Sequence, residues 1–139
     1  MSILKINMEY FTLIYILLAH FFSDFVMQSD EMAKGKSTSL YWLTRHVFAY
    51  SKTFFVFSIL FFFILILCGE KCDPNLAWIV VIYIFFNSTL HWITDYFTSK
   101  QVKKYFDKQD FYKGFIIIGF DQFIHTTTLI LTFYYIFIN

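Results

Sequence analysis

Histidine and aspartate recur four residues apart in stretches of the sequence that are otherwise apolar. The pairs are His20/Asp24, His91/Asp95 and, in reversed order, Asp121/His125. Residues four apart lie on one side of an α-helix, so each pair presents an imidazole and a carboxylate together. Ionisable side chains are costly inside a bilayer and commonly mark functional sites there. Imidazole with carboxylate suits divalent ions such as Zn, Mn or Fe, so the pairs predict a shared metal site.

The composition indicates a membrane protein. The 139 residues are 58% hydrophobic and only 15% charged, whereas soluble domains carry about 25% charged residues. The 21 Phe and 10 Tyr residues are interpreted as lipid-facing and packing surface, and no nucleic-acid partner is expected. About 20 apolar residues cross a bilayer, and the chain has four such stretches. We therefore predict an all-α membrane protein with four transmembrane helices in a bundle, one polytopic domain over residues 1–139, with helices at about 9–28, 40–68, 75–97 and 115–137.

The segments around these helices differ in character. The second helix is expected to be long with an interfacial start, because its first half is mixed and residues 53–68 carry no charge. Residues 99–110 are interpreted as a basic linker. Cys68 and Cys72 form a lone pair, which predicts packing or an optional disulfide rather than a zinc motif. The N-terminus lacks the basic start and cleavage site of a signal peptide, so the first apolar run is expected to remain as a helix.

Basic residues cluster in two of the connections. Those after the first helix are Lys34, Lys36 and, nearby, Arg45, and those after the third are Lys100, Lys103, Lys104, Lys108 and Lys113. The positive-inside rule therefore predicts that both connections are cytoplasmic and that both termini lie on the opposite side.

This topology places the ionisable groups at matched depth. With a rise of 1.5 Å per residue, they lie about 3 to 15 Å below the predicted cytoplasmic helix ends. His46, the fourth histidine, enters from the same side. We expect five of the seven groups to ligate metal, namely His20, Asp24, His91, Asp95 and His125. Asp121 and His46 are the predicted catalytic residues, as ligands or proton handlers. Seven groups over-supply one ion, so one or two ions are expected, with some groups orienting ligands.

Other interpretations of the same residues stay open. The pairs would also suit interhelical hydrogen bonds that lock the bundle, a proton or ion path, or a non-enzymatic effector or sensor. A transporter needs polar groups that reach the far side, where the second and fourth helices are apolar. Ser23 lacks the glycine elbow of a nucleophile.

Four polar residues are candidates for substrate binding near the mouth of the predicted site. They are Gln28, Lys36, Arg45 and Lys100. The basic ones suit a phosphate headgroup, although topology alone also explains them.

Residues 19–33, followed by Lys36, resemble the opening of the bacterial membrane family of unknown function DUF3307. In that family a lone His follows, then H-x-x-x-D with a basic residue soon after, then D-Q-x-x-x-H. The matching residues here are His46, His91/Asp95 with Lys100, and Asp121-Gln122 with His125. The resemblance implies a bacterial inner-membrane location and no settled activity. The layout is also distantly similar to the inner-membrane metal-dependent hydrolases.

Together these observations favour a metal-dependent hydrolase. Water activated by the metal would be the nucleophile, with a free Asp or His as general base. A substrate that reaches this depth from the cytoplasmic side is expected to be a lipid or lipid-linked phosphate, so membrane lipid is the predicted partner. The oligomeric state stays open, with a homo-oligomer as one alternative.

Overall fold

A computed structural model of the protein describes residues 3–69 and 75–137, with side chains from residue 10 onwards. These residues form five α-helices and no strand. The helices are α1 (Ile3–Phe21), α2 (Asp30–Gly35), α3 (Leu40–Leu67), α4 (Leu76–Asp107) and α5 (Phe111–Phe137). Helices α3, α4 and α5 are long and apolar enough to cross a membrane, and Tyr10–Val26 is a shorter apolar stretch. The predicted all-α membrane bundle is confirmed.

The long helices alternate in direction, as the order of polar and apolar residues along each one shows. In α1 the buried apolar residue Ile16 precedes the buried polar residues, and in α4 Tyr83 and Ile84 do so. In α3 and α5 the order is reversed, with Phe54 and Phe133 following the polar residues. The bundle therefore has an apolar layer at one end and a polar layer at the other.

Large apolar side chains cover the outside of the described bundle. Phe48, Phe85 and Phe123 are 69%, 70% and 65% exposed. Water would penalise such a surface, whereas lipid hydrocarbon does not, which agrees with a membrane environment.

A π turn over Phe22–Val26 continues α1. Its two buried residues are Ser23 and Asp24, and the Ser23 hydroxyl donates to the carbonyl oxygen of Ala19. A π turn inserts one extra residue into a helical turn and is common at functional sites. Here it lets two neighbouring polar residues point into the bundle. Helix α1 also begins at Ile3, earlier than the predicted start near residue 9.

The turn between α4 and α5 is much shorter than the predicted basic linker. Helix α4 runs to Asp107, ten residues beyond the predicted end at residue 97, and α5 begins at Phe111 instead of 115. Two side chains explain this. Lys103 pairs with Asp107 one helical turn later at 2.7 Å, which supports the helix. Asp110 accepts a hydrogen bond from the backbone N–H of Lys113 at 3.2 Å and so caps α5.

Local contacts and backbone conformation explain where α2 begins and where α3 ends. Ser29 caps α2 by accepting from the backbone N–H of Met32, so part of the predicted polar connection is helical. Gly69 follows α3 with a φ of +81°, a conformation that glycine adopts readily at helix ends. Cys68 is exposed with a free thiol. Cys72 lies outside the described residues.

Candidate metal centre

The polar layer contains all seven ionisable groups singled out in the sequence. Each is at most 8% exposed, and they come from α1 with its π turn and from three further helices. They are His20 from α1, Asp24 from the π turn, His46 from α3, His91 and Asp95 from α4, and Asp121 and His125 from α5. The matched depth inferred from the sequence therefore corresponds to one cluster of contacting side chains.

Four donor atoms from different residues lie close to one another in this cluster. Nε2 of His46 lies 3.1 Å from Oδ1 of Asp24 and 3.2 Å from Oδ2 of Asp95. Nε2 of His91 lies 3.4 Å and 3.6 Å from the same two oxygens. The two nitrogens are 3.1 Å apart. Donor atoms around a tetrahedral ion with bonds of 2.0–2.1 Å are about 3.3 Å apart. These separations therefore fit a single divalent ion.

Hydrogen bonds alone cannot account for these contacts. Neutral imidazole carries one N–H, so Nε2 of His46 and Nε2 of His91 supply at most one proton each. Five contacts converge on those two nitrogens, and four of them involve carboxylate oxygens. These contacts therefore contain more hydrogen-bond acceptors than N–H donors, and a bound cation would satisfy the acceptors that lack a donor.

A neighbouring part of the cluster is built by α4 and α5. The rings of His91 and His125 stack with centroids 3.9 Å apart and planes 16° from parallel. Nε2 of His125 lies 3.2 Å from Oδ1 of Asp95 and 3.4 Å from Oδ1 of Asp121. The Thr98 hydroxyl also donates to Oδ1 of Asp121. Ligand atoms close enough to hold an ion therefore occur twice, in Asp24/His46/His91 and in His91/Asp95/His125.

Gln122 connects three of the predicted residues, although the sequence assigned it no role. Its amide nitrogen donates to Oδ2 of Asp24 at 2.8 Å and to Oδ2 of Asp121 at 3.2 Å. Because only the nitrogen can donate to carboxylates, the amide oxygen must face Nε2 of His20, 3.2 Å away. With this amide orientation Nε2 of His20 donates to Gln122, and His20 is in neither of the two groups of described residues whose atoms are close enough to hold an ion. The sequence feature that could have identified Gln122 is its position as a polar residue next to Asp121 in an otherwise apolar helix.

Lys36 brings a positive charge to the cluster. Its Nζ lies 2.8 Å from Oδ2 of Asp95, and its side chain is only 16% exposed. Burial lowers the pKa of this ammonium group, but the nearby carboxylates of Asp95 and Asp24 outweigh that effect and raise its pKa above the usual value. Lys36 is therefore charged at neutral pH.

Two imidazole nitrogens that face away from the donor atoms have no hydrogen-bond partner among the described residues. Nδ1 of His46 and Nδ1 of His91 are buried without a hydrogen bond among the described residues. If Nε2 binds metal, Nδ1 carries the proton, and each unsatisfied buried donor costs about 1–3 kcal/mol. Structural zinc in small domains contributes about 10–16 kcal/mol, so ion binding can offset this cost.

A cavity of about 500 Å³ connects the cluster with the surface. Asp24, Asp95 and Asp121 lie in its wall, together with Gln28 and Lys36. Lys34 and Lys103 line it as well. Arg45 and Lys100 do not: Arg45 lies 5.9 Å from the Tyr41 ring centre, and Nζ of Lys100 lies 3.3 Å above the Tyr96 ring. The structure thus brings two of the four predicted substrate-binding residues to the cavity.

Comparison with known proteins agrees with the resemblance seen in the sequence. The family described as "Protein of unknown function (DUF3307)" matches residues 12–139, a range that contains every member of the cluster. No curated protein and no solved structure matches the chain significantly.

Proposed function

The chain belongs to the DUF3307 family of proteins of unknown function, and we propose that it is a metal-dependent hydrolase that acts on a lipid or lipid-linked phosphate. The observation that carries this proposal is the group of four donor atoms on Asp24, His46, His91 and Asp95, in which five of the six separations are 3.1–3.6 Å. Zn, Mn and Fe all accept such a mixed imidazole and carboxylate site.

Charge supports a divalent ion at this position. Asp24, Asp95 and Asp121 contribute three negative charges, and Lys36 contributes one positive charge. With neutral imidazoles the buried cluster carries a net charge of −2, which is costly in a low-dielectric interior. One divalent ion makes the cluster neutral.

Hydrolysis is favoured because the cavity reaches the carboxylates of Asp24, Asp95 and Asp121. A bound ion would acidify water and polarise the phosphoryl group. In the proposed reaction the water oxygen bonds to phosphorus, the ester P–O bond breaks, and Asp121 takes a proton from the water. The leaving alkoxide takes a proton from solvent in the cavity. Lys36 is positioned to neutralise charge on the phosphate.

The substrate class follows from the surroundings of the cavity. Its wall combines Lys34, Lys36 and Lys103 with the apolar side chains of Phe25, Val102, Phe106 and Ile118. Cations beside apolar surface suit a phosphate attached to a lipid. The positive-inside rule favours a cytoplasmic position for this end of the bundle, and we propose that the protein resides in the bacterial inner membrane. An ion path is disfavoured, because the layer beyond the cluster is lined mostly by apolar and aromatic side chains, among them Phe54, Leu129 and Phe133.

The metal content of the purified protein tests the first part of this proposal. Protein prepared in detergent without chelators and supplied with Zn²⁺, Mn²⁺ or Fe²⁺ is expected to retain bound ion in elemental analysis. Asp24→Asn should weaken retention strongly, because a neutral amide replaces a ligand oxygen. Asp30→Asn is the matched control, because Asp30 is exposed and, among the described residues, forms its ion pair with Lys34 at the surface. Wild-type protein without bound metal would refute the metal centre.

Phosphate release tests the second part. The metal-loaded protein in vesicles that contain phosphatidic acid or a polyprenyl phosphate is expected to release inorganic phosphate. Asp121→Asn should reduce the rate by at least about 100-fold, because general-base catalysis contributes that much, while the protein stays folded and keeps the ion held by Asp24, His46, His91 and Asp95. Retained metal without any phosphate release would leave a metal protein that is not this hydrolase.

A further inference from the structure

The stacked histidines carry a second inference, which rests on the metal centre proposed above. His91 and His125 are nearly parallel, and their Nε2 atoms both face Asp95. Each nitrogen lies nearest a different oxygen of that carboxylate. Nε2 of His125 is 3.2 Å from Oδ1, and Nε2 of His91 is 3.6 Å from Oδ2.

The two rings contact different oxygens of the Asp95 carboxylate, and their centroids are 3.9 Å apart. Ligand atoms close enough to hold an ion occur both around Asp24, His46 and His91 and around His91, Asp95 and His125. A carboxylate that offers one oxygen to each side can bridge two ions, and the ions of two-metal sites are about 3.5–4 Å apart.

We propose that the protein binds two divalent ions bridged by the carboxylate of Asp95. The first ion takes Oδ1 of Asp24, Nε2 of His46, Nε2 of His91 and Oδ2 of Asp95. The second takes Oδ1 of Asp95, Nε2 of His125 and Oδ1 of Asp121. In this group Nε2 of His125 lies 3.2 Å from the Asp95 oxygen and 3.4 Å from the Asp121 oxygen. The second site thus has three protein ligands and open positions, the arrangement that catalytic metals use.

The second ion also defines the charge of the substrate. The cluster with one divalent ion is neutral, and with two it carries a net charge of +2 when the imidazoles are neutral. A terminal phosphate, which carries about two negative charges at neutral pH, balances this charge, whereas a phosphodiester carries only one. The cavity wall contains Asp95 and Asp121, the carboxylates of the second site. The proposal therefore commits to a phosphate monoester as the ligand.

Manganese provides the test, because two bridged Mn²⁺ ions couple magnetically. The wild-type protein loaded with Mn²⁺ is expected to hold two ions per chain and to give the electron paramagnetic resonance spectrum of a coupled pair. His125→Ala should hold one ion with the spectrum of isolated Mn²⁺. Asp107→Asn is the matched control, because Asp107 lines the cavity but pairs with Lys103, and it should keep the coupled pair.

The outcomes separate this inference from the proposed function. One uncoupled ion per wild-type chain would overturn the second site and leave the single metal centre standing. Two uncoupled ions would overturn the bridge. No bound ion would overturn both proposals. If His125→Ala does not fold, the wild-type spectrum alone still decides, and Asp121→Asn provides a second variant with the same expected loss of coupling.

Discussion

Asp95 is contacted by side chains from three other segments of the chain. Its two oxygens lie within 3.2 Å of Nζ of Lys36, Nε2 of His46 and Nε2 of His125. The ammonium of Lys36 and a bound ion would therefore share the oxygen Oδ2. Lys36 repels the metal, but it also reduces the cost of three buried carboxylates. These opposite effects can be separated by a substitution that removes the charge and keeps the length of the side chain.

Lys36→Met is expected to tighten binding of the divalent ion and to weaken binding of the phosphate substrate. Two unit charges 4 Å apart at an effective dielectric of 20 interact by about 4 kcal/mol, so a tenfold lower Kd for metal, about 1.4 kcal/mol, is a conservative expectation. The KM for the lipid phosphate should rise. Metal titration and phosphate-release kinetics measure the two effects.

Lys100→Met is the control for this experiment, because Lys100 lies over the Tyr96 ring and does not line the cavity. It should change neither quantity. Weaker metal binding in Lys36→Met would show that Lys36 supports the ligands and does not compete with the ion.

At the scale of elements, the α4–α5 hairpin contains the glycine at which an added Cβ would meet the closest neighbour. Gly114 is buried at the start of α5, and a Cβ there would overlap the ring of Phe106 near the end of α4. Phe106 also lines the cavity. Gly119 lies five residues further along the same helix, and a Cβ there would meet nothing within 4 Å. The two glycines therefore form a matched pair for testing how α4 and α5 pack.

Gly114→Ala is expected to destabilise the protein by about 1–3 kcal/mol, the usual cost of overpacking. Gly119→Ala should be neutral or stabilising by up to about 1 kcal/mol, because alanine has the higher helix propensity. Thermal unfolding in detergent measures both. Equal melting temperatures for the two variants would contradict the close packing of Phe106 on α5.

The sequence predicts where apolar helices lie better than where they end. The charges in residues 99–110 suggested a linker, yet Lys103 and Asp107 pair along the helix and lengthen α4. The π turn at Phe22–Val26 has no distinctive composition, since Phe22, Ser23 and Phe25 also occur in ordinary helices. The π turn is stabilised by the burial of Ser23 and Asp24 inside the bundle. This is a tertiary interaction, so the local sequence does not show it.

For the molecule as a whole, the sequence predicted how deep each polar residue lies along its helix, but not how each helix is rotated about its axis. Multiplying residue spacing by the helical rise placed three of the four histidines in one layer, His46 was expected to enter from the same side, and the structure brings all four side chains together. Which residues face the cavity depends on how each helix is rotated and tilted. Ser99 lines the cavity, whereas Lys100, one residue later and about 100° further round the helix, lies over Tyr96. The same limit explains why the stacking of His91 and His125 could not be foreseen.

The orientation of the bundle decides from which side metal and substrate arrive. The α2–α3 and α4–α5 connections carry the basic residues and lie at the polar end of the bundle, while Cys68 follows α3 at the opposite end. The positive-inside rule therefore predicts that the cavity opens to the cytoplasm. Single cysteines test this prediction with a membrane-impermeant maleimide. Cys72→Ser leaves Cys68, and Thr38→Cys or Lys104→Cys in a chain without the two native cysteines places the thiol at an exposed position of the polar end.

In cells with a permeable outer membrane but an intact inner membrane, Cys68 is expected to be labelled at once. Thr38→Cys and Lys104→Cys should be labelled only after lysis. The reverse pattern would place the cavity outside and would make a cytoplasmic phosphate substrate untenable, even if the metal centre were correct. Labelling of all three positions in intact cells would indicate that the chain inserts in both orientations. The labelling pattern thus tests the topology independently of the chemistry, because none of the three labelled positions contacts the His/Asp cluster among the described residues.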